Sequence, residues 1–214
     1  MKVLIACEES QTVCFEFRKL GYEAYSCDLE PSSGPCPEFH IQGDAIEEAY
    51  SGKYDLMIAH PPCTYLSRAG ARWLYPGGVI NQQRFNKLLE AKEFFHRLQN
   101  APIEFIAVEN PTPFKVADLG PHTQAVQPYE FGHPYSKRTL LWLKNLPSLT
   151  PTSVLESWKP FLPSNTGGKK RGQKSSKGVA KNAKEASKTF PGIAAAMAHQ
   201  WGAYVESILN GNVD

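Results

Sequence analysis

The chain has 214 residues, 42% hydrophobic and 21% charged, enough for one domain with a substantial core and too few for two large ones. No run approaches the eighteen or so uninterrupted apolar residues of a membrane span, and the apolar start at Val3 turns polar at Glu8 before a secretory h-region could form. The expectation is a soluble, cytoplasmic monomer with no membrane attachment. The five cysteines, at 7, 14, 27, 36 and 63, are odd in number and scattered, which excludes a disulfide framework and suits a reducing compartment. The net charge of +2 is unevenly spread: residues 169–188 hold eight Lys/Arg and one acid, against 15 basic and 20 acidic residues elsewhere. A mildly acidic body with one concentrated basic segment fits a polyanion touched at one place, or a solvated loop.

In chain order, Val3 to Cys7 is an apolar run of strand length. Gln11 to Leu20 carries Val13, Phe15, Phe17 and Leu20 at loosely helical spacing, with Gly21 placed to end the helix. Tyr22 to Cys27 reads as a second strand and Tyr54 to Ala59 as a third, stopped by His60-Pro61-Pro62. Gln82 to Leu98 is the clearest helix, with Phe85, Leu88, Leu89, Phe94, Phe95 and Leu98 on one broad face. Ile103 to Val108 is a further strand, cut by Pro111, Thr139 to Leu143 another, and Gly192 to Leu209 an alanine-rich C-terminal helix. From about Asn145 the composition turns to Pro, Ser, Thr, Gly and Lys, and Gly167 to Lys188 reads as a flexible, basic stretch.

Strands alternating with helices imply βαβ units and a mostly parallel sheet, whose ligands lie beyond the carboxyl ends of the strands. Four polar or turning clusters follow the strands: Cys7-Glu8-Glu9-Ser10, Asp28-Leu29-Glu30, His60-Pro61-Pro62-Cys63 and Glu109-Asn110-Pro111. A cysteine after a prolyl pair sits on a stiff turn and can present its sulfur to a pocket, where a thiolate can attack an electron-poor ring carbon. By itself the cluster slightly favours an inert buried thiol, the commoner fate of a single cysteine. Glu109 on a neighbouring strand end supplies an acid able to protonate a ring nitrogen while the nucleophile adds elsewhere on the ring, and the amide of Asn110 can orient that ring.

The run from Tyr54 to Gly70, containing Pro62-Cys63-Thr64-Tyr65-Leu66-Ser67, together with Ala107-Val108-Glu109-Asn110, resembles the catalytic and Glu-Asn-Val motifs of the cytosine-C5 DNA methyltransferases. Weaker similarities are Val3 to Ala6 with Asp28, the Gly43-Asp44-Ala45 triplet, Phe131 to Thr139, and Pro191-Gly192-Ile193 opening the last helix. The resemblance spans roughly residues 3–143 and 189–205. It implies an S-adenosylmethionine-dependent methyltransferase (Rossmann-like) α/β fold, with the catalytic domain formed by 1–144 and 189–214 and a reduced target-recognition insert at 145–188.

The resemblance also implies roles. Cys63 adds to C6 of cytosine, Glu109 protonates N3, and Asn110 and Lys137 orient the base. S-adenosylmethionine is expected against Ala6, Glu8, Glu9, Ser10, Asp28, Leu29, Asp44, Ala45, Pro62 and Ile193. Nucleic acid is expected against Thr64, Ser67, Arg68, Arg72, Lys169, Lys170, Arg171 and Lys174. Trp73, with Arg72 and Arg84, is a substrate-closing residue or a core anchor.

Two departures from the family pattern stand out. The glycine-rich loop after the first strand is replaced by Cys7-Glu8-Glu9-Ser10, so either Glu8 or Glu9 meets the cofactor's ammonium or cofactor binding is weakened. Lys137 stands where the family has an arginine, and a point charge does not reproduce a bidentate fork.

The lysine-rich insert implies salt-dependent phosphate contacts with little base discrimination, on duplex or single-stranded DNA, or a partner that supplies recognition. Compact members of the family are phage-borne, which suggests evasion of restriction. Two other readings are an amino-methylating DNA enzyme, with His60-Pro61-Pro62-Cys63 as a degenerate Pro-Pro motif, and a non-catalytic scaffold. Cys27, Cys36 and His40 lack the close cysteine pair of a structural zinc site, so no metal is expected.

Overall fold

The computed structural model describes residues 1–161 and 183–211. The chain runs β1 (Lys2–Ala6), α1 (Thr12–Lys19), β2 (Glu23–Asp28), β3 (His40–Gln42), α2 (Ala45–Ala49), β4 (Leu56–Ala59), α3 (Gln82–Gln99), β5 (Phe105–Pro111), β6 (Gln124–Val126), β7 (Tyr135–Ser136), β8 (Thr139–Lys144), β9 (Lys159–Pro160), α4 (Ala183–Ser187), α5 (Pro191–Ala196), a π-helical turn Met197–Trp201, and α6 (Gly202–Leu209). Seven strands form one sheet in the order β3-β2-β1-β4-β5-β8-β6. All are parallel except β8, which runs antiparallel to both neighbours.

The central strands are apolar on both faces because helices cover both. Val3, Ile5, Leu56, Ile58, Phe105 and Ala107 pack with α1, α5 and α6. Their alternates Leu4, Ala6, Met57, Ala59, Ile106 and Val108 pack with α2 and α3. The parallel register pairs Leu56 with Phe105 and Ile58 with Ala107, so one face of the sheet can be followed outward residue by residue beyond the strand ends.

Several expected elements are revised. Strand β5 does not stop at Val108 but runs through Glu109 and Asn110 to Pro111, pairing with β8. Proline is tolerated there because β4 has already ended at Ala59 and asks no N–H of it. Phe15, Leu20 and Leu89 are exposed, so α1 buries Val13, Cys14 and Phe17 and α3 buries Leu88, Phe95 and Leu98. The C-terminal helix is broken into three by its π-helical turn. The stretch 167–188, expected to be flexible throughout, includes the short helix α4, tied down by Lys184, which bonds Glu30 at 2.6 Å and approaches Glu9 at 3.4 Å. Part of the insert also joins the core, with Leu149 buried and Phe161 packed edge-on to Phe190 at 4.8 Å. At Gly192 a Cβ would run into the Phe131 carbonyl oxygen, which is how α5 enters so close beneath the strand edge.

Candidate active site

The strand order reverses between β1 and β4, the switch point at which open α/β sheets bind ligands. Following the β4–β5 register two steps past Ile58 and Ala107 brings His60 level with Glu109 on the same face. Their side chains meet there, His60 Nδ1 lying 3.2 Å from Glu109 Oε2 with both groups largely buried. One step further, the fully buried Asn110 donates from Nδ2 to the Pro61 carbonyl at 3.4 Å. The two strand ends are thus linked by side chains where the backbone ladder stops.

Cys63 follows on a tight turn, its carbonyl accepting the N–H groups of Leu66 and Ser67 at 3.1 and 2.9 Å. That turn is fastened to the segment after Asn110. Arg68 N–H donates to the Thr112 carbonyl at 3.1 Å, Phe114 N–H donates to the Leu66 carbonyl at 2.9 Å, and Ser67 is bridged to Pro113. Strand β8 runs opposite to β5 with Thr139 level with Pro111, so Lys137, two residues earlier, overhangs the same edge. Its ammonium donates to the Lys188 carbonyl at 3.3 Å and lies 5.9 Å from the Phe190 ring centroid.

These groups influence the Cys63 thiol. Burial pushes its pKa up, the Glu109 carboxylate pushes it further, and the Lys137 ammonium opposes both. At neutral pH Cys63 is therefore a thiol. Alkylation of Cys63 by iodoacetamide, followed by peptide mass spectrometry, is expected to be slow at pH 7.5 and to accelerate about tenfold per pH unit to beyond pH 9. Glu109→Gln should speed the reaction several-fold at pH 7.5 and Lys137→Ala should slow it, because each removes one of the two opposing charges.

On the other side of His60, a cleft of about 70 Å³ is lined by Cys7, Glu8, Glu9, Ser10, Ser187, Lys188 and Thr189 as well as His60 itself. The loop after β1 is organised by its acidic side chains. Glu8 is buried and accepts Val13 N–H at 2.7 Å and Cys14 N–H at 3.1 Å, capping the first turn of α1. Gln11, at the N-cap position, has φ 54° and makes no side-chain cap of its own, so Glu8 takes that duty. Burial raises the Glu8 pKa, against the pull of His60 and of the two helix N–H groups. For Glu9 burial acts upward, but the Ser33 hydroxyl and the ammonium groups of Lys184 and Lys188 outweigh it and hold the carboxyl low.

The other residues expected against the cofactor are not among those lining this cleft. Asp28 ends β2 with Oδ1 accepting Glu30 N–H at 2.9 Å. Asp44 caps α2 through Ile46 N–H at 2.8 Å. Leu29 is 75% exposed, whereas Ala6, Ala45 and Ile193 are buried. Pro62 is exposed. Among the nucleic-acid residues, Thr64, Arg68 and Arg72 are exposed and Ser67 is buried. Trp73 is 55% exposed, which removes the core-anchor reading. Lys169, Lys170, Arg171 and Lys174 lie outside the described residues.

The role of His60 as partner of Glu109 was missed by sequence reasoning, which considered it only as a substitute in an amino-methylating motif. The signal was the equal spacing of His60 beyond Ile58 and of Glu109 beyond Ala107, but it has meaning only once the register is known. Among the described residues, three buried side-chain atoms have no hydrogen-bond partner within the chain: Glu9 Oε2, His60 Nε2 and Asn110 Oδ1. All three belong to this edge, where their free valences suit a polar ligand or water.

A parallel sheet with one antiparallel strand inserted between its fifth and last members, and its polar residues gathered at the β1–β4 switch point, is the S-adenosylmethionine-dependent methyltransferase (Rossmann-like) fold. No family model matches the chain, and no curated protein sequence matches it. Two of the solved structures that resemble it are the following. One is described as a candidate DNA modification methyltransferase encoded within a prophage (E. coli), at 13% identity and a TM-score of 0.43, the match covering 72% of this chain and 52% of that one. The other is a mutant of Spodoptera frugiperda DNMT2, at 13% identity and a TM-score of 0.35, covering 78% of this chain and 56% of that one. The chain spans about half the length of each.

Proposed function

We propose that the chain is a DNA (cytosine-5-)-methyltransferase that works through a covalent Cys63 adduct. The observation that carries this reading is the grouping of Cys63, Glu109, Asn110 and Lys137 at one strand edge, with the carboxylate close enough to raise the thiol's pKa. The coupling suits the chemistry. Glu109 must be protonated to donate to N3, and neutralising it removes the charge that opposes thiolate formation. The Cys63 thiol gives up its proton to solvent, and the thiolate Sγ bonds to C6 as N3 takes the Glu109 proton, which makes C5 a carbon nucleophile. After methyl transfer a base removes the C5 proton, the thiolate is expelled, and N3 returns its proton to the Glu109 carboxylate. Asn110, with Oδ1 unpaired, and Lys137 orient the base.

S-adenosylmethionine, when bound, supplies the methyl group as a sulfonium. The residues at the switch point suit it: Asp28 at the end of β2 fits a ribose diol, and the unpartnered Glu9 Oε2 fits an ammonium. The cleft of 70 Å³ is far below the roughly 300 Å³ of ligand pockets. Entry therefore requires the wall formed by Ser187, Lys188 and Thr189 to move outward.

His60 acts as a positioning residue for Glu109. With its proton on Nδ1 the imidazole donates to the carboxylate, and with its proton on Nε2 instead, Nδ1 accepts from a protonated Glu109. His60→Gln is expected to lower the rate of the methyl-transfer step about tenfold with substrate affinity little changed, measured by single-turnover methylation over a range of substrate concentrations.

The deciding experiment incubates the protein with labelled S-adenosylmethionine and mixed nucleic acids and digests the product to nucleosides. Label in 5-methyldeoxycytidine supports the proposal. Label in N-methylated bases replaces it with the amino-methylating reading. No label, together with no calorimetric binding of S-adenosylmethionine, leaves a nucleic-acid-binding scaffold.

A further inference from the structure

A second cavity, of about 530 Å³, lies on the far side of the Cys63 turn, between that turn and the first turns of α3. Its walls include Tyr65, Trp73, Pro76, Arg84 and Lys87, and none of the described residues that line it is acidic. Its size falls within the range of small-ligand sites.

The cavity is firmly built. Arg84 donates from Nη2 to the Thr64 carbonyl at 3.0 Å, and Asn81 N–H donates to the Leu74 carbonyl at 2.8 Å, with Leu74 itself buried. Gly70 fits where a Cβ would meet the Thr64 carbonyl and the Arg84 guanidinium at 2.6 and 2.7 Å. Against this frame the two aromatic rings stay accessible. Trp73 has the Arg72 guanidinium 4.7 Å from its ring centroid, and Tyr65 has that of Arg84 at 4.9 Å. Lys87, at the cavity's outer wall, pairs with the exposed Glu90 at 2.8 Å, a surface pair of little strength that a phosphate can replace.

Aromatic faces interleaved with cations, the one carboxylate beside them being the exposed Glu90 on Lys87, are the elements with which proteins hold unpaired nucleotides: the ring stacks on a base and the cations meet its phosphate. In a duplex both faces of each base are already occupied by its neighbours, so such a cavity selects a strand whose bases are free. We propose that this cavity binds one unpaired nucleotide of a single-stranded nucleic acid, its base stacked on Trp73 or Tyr65 and its phosphate beside Arg84 and Lys87. Tyr65 is two residues from Cys63, so the inference deepens the proposed function by placing this nucleotide next to the target base on the same strand.

The test measures binding without cofactor or turnover, so it stands whether or not the protein methylates anything. The full chain is titrated into fluorescein-labelled 15-mers of deoxythymidylate, uridylate and an abasic deoxyribose phosphodiester, and into a 15-bp duplex, with anisotropy as the readout. The base-bearing strands are expected to bind roughly tenfold more tightly than the abasic strand, and more tightly than the duplex. Trp73→Ala should abolish the preference over the abasic strand while retaining salt-dependent backbone binding. The relative affinities of the two base-bearing strands say whether DNA or RNA is preferred. Photocrosslinking of a 5-iodouracil strand to the unmodified protein, mapped by mass spectrometry, is expected at Tyr65 or Trp73 and needs no variant to fold. Equal affinity for base-bearing and abasic strands, tighter binding of the duplex, a preference that survives Trp73→Ala, or crosslinks only elsewhere would each overturn the proposal.

Discussion

Replacing Cys63 by serine is expected to reduce methyl transfer to cytosine by at least about a thousandfold while shifting the melting temperature by no more than about 2 °C. A serine hydroxyl is far less nucleophilic than a thiolate, and nothing at this edge would activate it: His60 is engaged with Glu109 at 3.2 Å. The structural cost is small because the side chain is only partly buried and the turn is held by backbone bonds from Leu66 and Ser67 to the Cys63 carbonyl. DNA containing 5-fluorocytosine sharpens the measurement. Fluorine at C5 cannot be removed as a proton, so the wild-type protein should be trapped on the strand as an adduct stable to denaturing gels. An active serine variant, or no adduct with the wild type, rejects covalent catalysis.

The second large effect is on stability. Glu8→Ala leaves the buried N–H groups of Val13 and Cys14 without the oxygens that now accept them at 2.7 and 3.1 Å. Gln11 offers no side-chain replacement. The expected loss is about 2–4 kcal/mol in denaturant unfolding, or roughly 5–12 °C in melting temperature. Glu8→Gln, which keeps one acceptor, should lose about half as much.

The pH dependence has a definite sign. Because burial raises the Glu8 pKa in the folded protein, the group favours folding below its ordinary value of 4.5, and that contribution is lost as pH rises through the folded value. The glutamine variant should lack this component. If Glu8→Ala instead melted like the wild type and weakened only the binding of S-adenosylmethionine, Glu8 would be a cofactor ligand rather than a helix cap.

These two residues differ in how far the sequence could carry the argument. Cys63 was legible as a nucleophile only in combination: a prolyl pair placed it at the end of an apolar run, and Glu109-Asn110 followed a second such run. Glu8 was equally visible, but its replacement of a glycine loop left two readings open. Capping requires α1 to start at Thr12 with its first N–H groups turned back over the strand end, and nothing in Cys7-Glu8-Glu9-Ser10 specifies that return. The aromatic cavity was still less legible, since Trp73 could have faced the core or the solvent with the same neighbours in sequence.

What the sequence by itself determined was the set of apolar runs, the helical stripes and the identity of the reactive side chains, because these depend on local periodicity and composition. The tertiary structure alone decided which of those side chains meet. Register set His60 opposite Glu109, the antiparallel direction of β8 brought Lys137 to the same edge, and Lys184 drew α4 across the switch-point cleft. Each of these joins residues distant in the chain, and their alignment follows from strand pairing and packing over the whole sheet, which no local window of sequence encodes.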